Sequence, residues 1–102
     1  MTTFVKNRAG FNRETGEPDN ECGNGWGYYD LGLQSENLIL KAKELGLDTL
    51  IMGIRDAAKI HEMLHIPETE QVVSVIAVGY RDIDPEKPKR KTPDDILTFV
   101  ED

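Results

Sequence analysis

The clearest hydrophobic pattern along the chain has the period of an α-helix and runs from Tyr28 to Leu45. Spacings of seven, four and three residues place one set of apolar side chains on a shared face: Leu31, Leu38, Ala42 and Leu45. Leu33 and Leu40 add a second stripe, so the helix is predicted to be apolar around much of its girth. Gly46 stands where a glycine commonly ends a helix.

Three segments have the character of β-strands. Residues 71–80, QVVSVIAVGY, form a nearly continuous apolar run, which predicts a strand covered on both faces. Thr49–Met52 is predicted to be a short buried strand that ends at Gly53. At the start of the chain, Thr2–Val5 has the composition of the tail of a third strand.

Capping signals predict two more helices. Asp56 is a suitable N-cap for a helix that ends at Ile66-Pro67, because the residue before proline avoids the α region. Its inner face is predicted to carry Ala57, Ile60, Met63 and Leu64. The last helix is predicted over residues 92–100, with Thr92 as its cap and Pro93 in its first position.

Residues 6–27 show no period and are polar and glycine-rich, which predicts a long loop that is either functional or disordered. Two or three strands and three helices would leave sheet edges and much of the first helix uncovered. We therefore expect residues 1–102 to be a single, incomplete domain. A second subunit, missing N-terminal sequence, or both would complete it.

Composition narrows the function classes. The formal net charge of −7 argues against nucleic acid as a partner, since its binders need a basic surface. No apolar run approaches the length of a membrane span, and Cys22 has no second cysteine with which to pair. The chain is therefore expected to be a cytoplasmic protein without a membrane segment.

Residues 61–65, HEMLH, fit the H-E-x-x-H pattern of zinc hydrolases, in which two histidines on a helix bind the metal. On the predicted helix, however, His61 and His65 lie beside the buried stripe, toward solvent. No further His or Cys follows as a third ligand, and the helix stops at Pro67. Two ordinary histidines on a helix flank are the favoured interpretation, and no metal ligand is assigned.

The segment Lys87-Pro88-Lys89-Arg90-Lys91 holds four of the chain's twelve cations in five positions. Without further context, such a segment is most often a solvated linker. The functional alternative is a phosphate clamp, because the arginine fork matches the geometry of phosphate oxygens.

From Tyr28 onward the chain resembles the C-terminal half of the nitroreductase family, the FMN-dependent NAD(P)H oxidoreductases. Three stretches carry the resemblance in order: YYDLGLQSENLILKAKELGLDTLIMGIRD, KIHEMLHIPETEQVVSVIAVGYRD and PEKPKRKTPDDIL. The resemblance implies an α+β fold with a largely antiparallel sheet, although strand–helix–strand order alone suggests a parallel crossover. It also implies a homodimer with FMN at the subunit interface, and a C-terminal extension, residues 81–102, that crosses to the second subunit.

Carried over to this sequence, the resemblance implies that Met52, Gly53 and Ile54 lie against the flavin. Gly53 suits that position because a missing side chain lets the backbone approach a flat ring. Arg90 matches the family's phosphate-binding cation, with Lys89 and Lys91 as helpers. The family's N-terminal R-x-S-x-R-like motif has no counterpart in residues 1–10, and its role is not assigned to Arg8 or Arg13.

The implied activity is a two-electron ping-pong reduction in which FMN takes electrons from NAD(P)H and passes them to an acceptor. The small-molecule acceptor would be a nitro compound, a quinone or a similar species. No catalytic side chain is assigned, because the cofactor performs the difficult step. Trp26, Tyr28 and Tyr29 are candidates to line an acceptor pocket. Two alternatives remain: a non-catalytic remnant or dimerising subunit of this fold, and the zinc hydrolase suggested by HEMLH.

Overall fold

The computed structural model describes residues 1–101 and contains three strands and three helices. Asp102, the last residue of the predicted extension 81–102, lies outside the described residues. The elements in chain order are β1 (Thr2–Val5), α1 (Gly25–Glu44), β2 (Asp48–Met52), α2 (Ala57–Leu64), β3 (Glu70–Gly79) and α3 (Pro93–Ile96).

The strands form one sheet in the order β1-β3-β2, and both pairings are antiparallel. The central position of β3 agrees with its apolar sequence, and Val72 within it is fully buried. The antiparallel arrangement confirms the sheet implied by the family resemblance, and the parallel crossover is wrong. The prediction that β2 is buried is also wrong, because Leu50 and Ile51 are 61% and 55% exposed on this edge strand.

One face of α1 packs on the sheet. Leu31 and Ala42 are buried there, as predicted, but Leu38 and Leu45 remain 47% and 63% exposed. The three-stranded sheet therefore leaves part of the predicted inner face of this helix uncovered. At the end of α1, the predicted role of Gly46 is confirmed. Its φ of 81° permits a Schellman motif in which Leu47 N–H donates to Ala42 O at 2.9 Å.

The start of α1 differs from the prediction. The helix begins at Gly25, within the predicted loop, rather than at Tyr28, so the loop ends at Asn24. Tertiary contacts outweigh the poor helix propensity of the glycines in this turn. The Trp26 indole N–H donates to Asn20 Oδ1 at 2.9 Å, and Gly27 lies directly against the Phe4 ring of β1.

The final helix is much shorter than predicted. The capping box between Thr92 and Asp95 forms and Pro93 takes the first position, but α3 ends at Ile96 rather than at Val100. Leu97, Phe99 and Val100 are 57%, 81% and 94% exposed. A short helix is marginal without tertiary packing, and these apolar side chains stay largely exposed within residues 1–101.

Residues 81–92 contain no helix or strand. The radius of gyration is accordingly 17.6 Å, against about 13 Å for a compact domain of this length. An ion pair holds the start of the segment to β2, with Arg81 Nη2 at 2.6 Å from Asp48 Oδ1. Arg81 also pairs with Asp84, while Lys43 Nζ lies 3.9 Å from Asp48 Oδ1.

The Arg81 ion pair gives a first testable prediction. The hydrogen bond from Arg81 is the largest effect on Asp48 and lowers the pKa of its carboxyl below the ordinary 3.8. A carboxyl with a depressed pKa stabilises the attachment above its unfolded pKa, and this contribution is lost as the pH falls through the folded value. Carboxyl NMR titration should therefore give an Asp48 pKa below 3.8 in the native protein and a higher Asp48 pKa in Arg81→Gln.

Lys43→Gln is the matched control for that titration. It removes one positive charge, as Arg81→Gln does, but Lys43 is the weakest contributor to the lowered pKa of Asp48. We expect it to leave most of the shift in place. An Asp48 pKa that is equally depressed in the native protein and in Arg81→Gln would contradict the ion pair that holds the extension.

Candidate functional site

The turn that follows β2 carries the three residues predicted to lie against a flavin. Met52 ends the strand half-buried, while Gly53 and Ile54 point outward, with Ile54 fully exposed. Arg55 fixes the turn to the central strand: its guanidinium donates to Gly53 O at 3.2 Å and to Val72 O at 2.9 Å. The backbone of the turn is therefore fixed by hydrogen bonds, and the turn exposes the apolar side chain of Ile54.

Space is open above Gly53. A Cβ built on this residue would have no heavy atom within 4 Å, and its φ is not in the left-handed region. Nothing within the chain therefore requires glycine at this position. A missing side chain becomes useful only when a group from outside the chain approaches the backbone, as a flat ring would.

The basic segment is the second part of the predicted site. Lys89, Arg90 and Lys91 are exposed in the extended stretch before α3. The ion pairs found among residues 1–101 use Lys41, Lys43 and Arg81 as cations, and none of the three predicted phosphate-binding residues. Their charges are thus available to an anion such as phosphate.

Within one chain the turn follows the C-terminal end of β2, whereas the segment that leads to the basic residues leaves the sheet beside the N-terminal end of β2. The register pairs Asp48 with Gly79 and Met52 with Val75, so the chain leaves β3 beside Asp48 and away from Met52. Residues 80–88 and the first half of β2 then line an open groove of about 750 Å³. Neither the turn residues nor the three predicted phosphate-binding residues line this groove, so it does not bring the two parts of the site together.

The HEMLH histidines do not share a helix face. The helix ends at Leu64, and His65 is its C-cap in the left-handed conformation, with a φ of 52°. His61, predicted to face solvent, is half-buried, and its Nδ1 lies 3.1 Å from Ile66 O. Met63 and Leu64, predicted on the inner face, are instead 66% and 57% exposed, because this helix packs through Ala57 and Ile60.

Among residues 1–101, no three His, Cys, Asp or Glu side chains form a group able to hold a metal ion. Across the same residues, no helix has the length and apolar character needed to cross a bilayer. This geometry gives no support to the zinc hydrolase alternative.

Aromatic side chains near the start of α1 take part in two edge-on ring contacts. Tyr28 packs edge-on against Phe4 with ring centroids 4.8 Å apart, and Trp26 packs against Tyr29 at 5.8 Å. These contacts order the start of the helix, so the prediction that the three aromatics line an acceptor pocket stays a prediction.

Arg55 was missed by the sequence analysis. Its role depends on the register that brings the Val72 carbonyl beside the turn, and residues 17 positions apart give no local signal of that contact. A cation two positions after Gly53 was the available hint.

Comparison with known proteins decides the family. The model of the nitroreductase family matches residues 6–80, which is most of the chain. The chain belongs to the nitroreductase family. No curated protein matches it significantly.

A solved structure, that of a nitroreductase family protein from Streptococcus pneumoniae TIGR4, superposes on this chain with a TM-score of 0.71. The two are 23% identical, and the match covers 88% of this chain. It confirms the α+β nitroreductase fold. This nitroreductase chain spans only 42% of the length of that protein.

Proposed function

We propose that this nitroreductase chain forms part of an FMN-dependent NAD(P)H oxidoreductase that reduces small acceptors such as nitro compounds or quinones. The observation that carries the proposal is the family match over residues 6–80. The open, apolar turn after β2 and the unpaired cations of the basic segment support it, because they offer the surfaces that a flat ring and a phosphate require.

The chain's own residues would hold FMN in two places. Met52, Gly53 and Ile54 would contact the flat ring, with Arg55 keeping their turn fixed on β3. Arg90, flanked by Lys89 and Lys91, would donate its guanidinium N–H groups to the phosphate oxygens. When bound, FMN would supply two-electron redox chemistry between NAD(P)H and the acceptor.

We further propose that two copies of the chain build each site. The turn and the start of the C-terminal segment lie at opposite ends of β2, so a segment that reaches a second copy would supply what one chain does not bring together. Apolar side chains that remain exposed in a single chain support this arrangement, including Leu33 and Leu40 on α1 and Phe99 and Val100 near the C terminus.

An FMN titration of the purified chain, followed by flavin absorbance and fluorescence, tests the proposal. We expect saturable binding that Arg90→Ala weakens by about 10- to 100-fold, since a hydrogen bond to a charged group contributes about 1.5–3 kcal/mol. Riboflavin lacks the phosphate, so its binding should be the same in both proteins. Lys87→Ala, which removes one charge from the same segment outside the assigned positions, is the matched control.

Gly53→Val tests the ring contact separately. A Cβ at this position has no neighbour within 4 Å, so thermal stability should be unchanged while both FMN and riboflavin lose binding. Gly79→Val is the control, because a Cβ there also has no neighbour within 4 Å.

The alternative is a non-catalytic subunit that keeps the family fold, and the lack of a counterpart to the family's R-x-S-x-R-like motif in residues 1–10 favours it. A folded, self-associated protein that binds neither FMN nor riboflavin would establish that alternative and reject the oxidoreductase proposal for this chain.

A further inference from the structure

A second cleft, of about 360 Å³, lies between β1, the start of α1 and the loop of residues 6–24. Phe4, Ala9 and Leu31 form its apolar part, and Arg8 and Arg13 reach it from the loop. Its size is at the lower end of the range for small-molecule pockets, which suits a compact ligand. Neither the Met52–Ile54 turn nor the basic segment takes part in its lining.

The charge in this cleft is opposite to that of the whole chain. Two guanidinium groups and one carboxylate, Asp30, line it, whereas the chain carries a net charge of −7. No ion pair detected within residues 1–101 involves Arg8 or Arg13. The loop's acidic residues lie outside the lining: Glu14, Glu17, Asp19 and Glu21.

Asparagine side chains hold the loop that carries the two arginines. Asn24 Oδ1 accepts from Asn7 N–H at 2.7 Å, and its amide donates back to Asn7 Oδ1 at 2.9 Å. Asn12 Oδ1 accepts from the N–H groups of Glu14 and Thr15 at 2.9 and 3.0 Å, which closes the turn beside Arg13.

Backbone contacts add to this order. Phe11 and Pro18 form a β-bridge, and Gly10, with a φ of 79°, lies directly against the Trp26 indole. The arginines therefore start from a backbone that is already fixed. Less conformational entropy is lost when such a pre-organised pair of cations engages a ligand.

We propose that this cleft binds a small organic carboxylate with an apolar, aromatic-sized body. The carboxylate accepts hydrogen bonds from the guanidinium groups of Arg8 and Arg13, whose forked donors match its two oxygens. The apolar body lies on Phe4 and Leu31, where its burial removes apolar surface from water. The site is independent of the proposed flavin site and stands without it.

An ¹H–¹⁵N NMR titration of the full chain with three probes tests the assignment. Benzoate has both the carboxylate and the apolar body, benzamide is its neutral counterpart, and inorganic phosphate is an oxyanion without the body. We expect benzoate to shift the amides of Ala9, Gly27 and Leu31 saturably, with a Kd on the order of 1 mM. Phosphate should bind more weakly, and benzamide should not saturate.

Arg8→Gln and Arg13→Gln should each weaken benzoate binding by about 10-fold, and the double variant should abolish it. Lys59→Gln on α2 removes the same charge from an exposed side chain outside the cleft and should bind like the native protein. Equal shifts with benzoate and benzamide, or unchanged benzoate binding in the double variant, would overturn the proposal. Phosphate binding without benzoate binding would also overturn it, because the apolar floor would then have no part.

Discussion

Gly27→Ala is expected to lower the free energy of unfolding by about 1–3 kcal/mol, the range for forcing extra atoms into a packed position. A Cβ built on Gly27 would overlap Cδ2 and Cε2 of the Phe4 ring. The ring has little freedom to move aside, because it also packs against Tyr28 at a centroid distance of 4.8 Å. Either β1 shifts away from α1 or Phe4 turns out to solvent, and both lose burial.

Gly32→Ala is the matched control, because it makes the same change five residues further along α1. A Cβ at Gly32 meets nothing within 4 Å, so the higher helix propensity of alanine should stabilise the protein by about 0.5–1 kcal/mol. Chemical denaturation at one fixed protein concentration gives both values. If the two alanines change stability in the same direction, Gly27 is not in close contact with β1.

A double-mutant cycle localises the effect to the ring. Phe4→Ala removes the atoms with which a Cβ at Gly27 would collide, so the Gly27→Ala change should cost much less in that background. Strictly additive losses would place the strain of Gly27→Ala somewhere other than the Phe4 ring.

The elements that the sequence predicted well are those whose signals are local. Asp56 caps α2 through a hydrogen bond from Lys59 N–H at 3.0 Å, and Gly46 ends α1 with positive φ. Each of these residues acts within a few positions of itself. The pattern of the flanking sequence is then sufficient to predict the element.

The predictions that failed depend on contacts distant in sequence or on contacts that one chain lacks. The early start of α1 depends on Phe4, 23 positions before Gly27, and no helix propensity reveals that contact. Val100 was predicted in a helix because its segment is apolar on one side. Within residues 1–101 that side stays exposed, and the helix stops at Ile96.

The same distinction between local signals and distant contacts applies to the residues of the candidate site. The sequence placed Met52, Gly53 and Ile54 at the end of a strand, and the structure confirms that position. Their contact with a flavin stays a prediction, as does the role of Arg90. The arrangement of Arg8 and Arg13 around one cleft could not be predicted, because it depends on how asparagine side chains fold the loop.

Leu40→Asp is expected to have the largest effect, because it should convert the dimer proposed for this protein into a chain that no longer folds cooperatively. Leu33 and Leu40 lie about 160–180° around α1 from the buried Leu31, so the sheet of their own chain does not reach them. They are 55% and 59% exposed. Within residues 1–101, the buried apolar side chains are only Leu31, Ala42 and Val72.

So few buried side chains give one chain little core, and a partner that covers the outer face of α1 would supply the rest. Sedimentation equilibrium should then give a dimer for the native protein, and its Tm should rise with protein concentration because association stabilises the folded state. An aspartate at position 40 would lose its hydration on burial in the interface, which is unfavourable without a partner charge. The variant should sediment as a monomer and unfold without a sharp transition.

Met63→Asp on α2 is the matched control, since it places the same charge at an apolar residue that is 66% exposed and lies away from α1. It should remain a dimer with a native-like Tm. If each flavin site is built from two copies, Leu40→Asp should also lose FMN binding although it changes no residue of the proposed site. A native protein that sediments as a monomer, with a Tm independent of concentration, would contradict the shared interface. A Leu40→Asp variant that still sediments as a dimer would also contradict the shared interface.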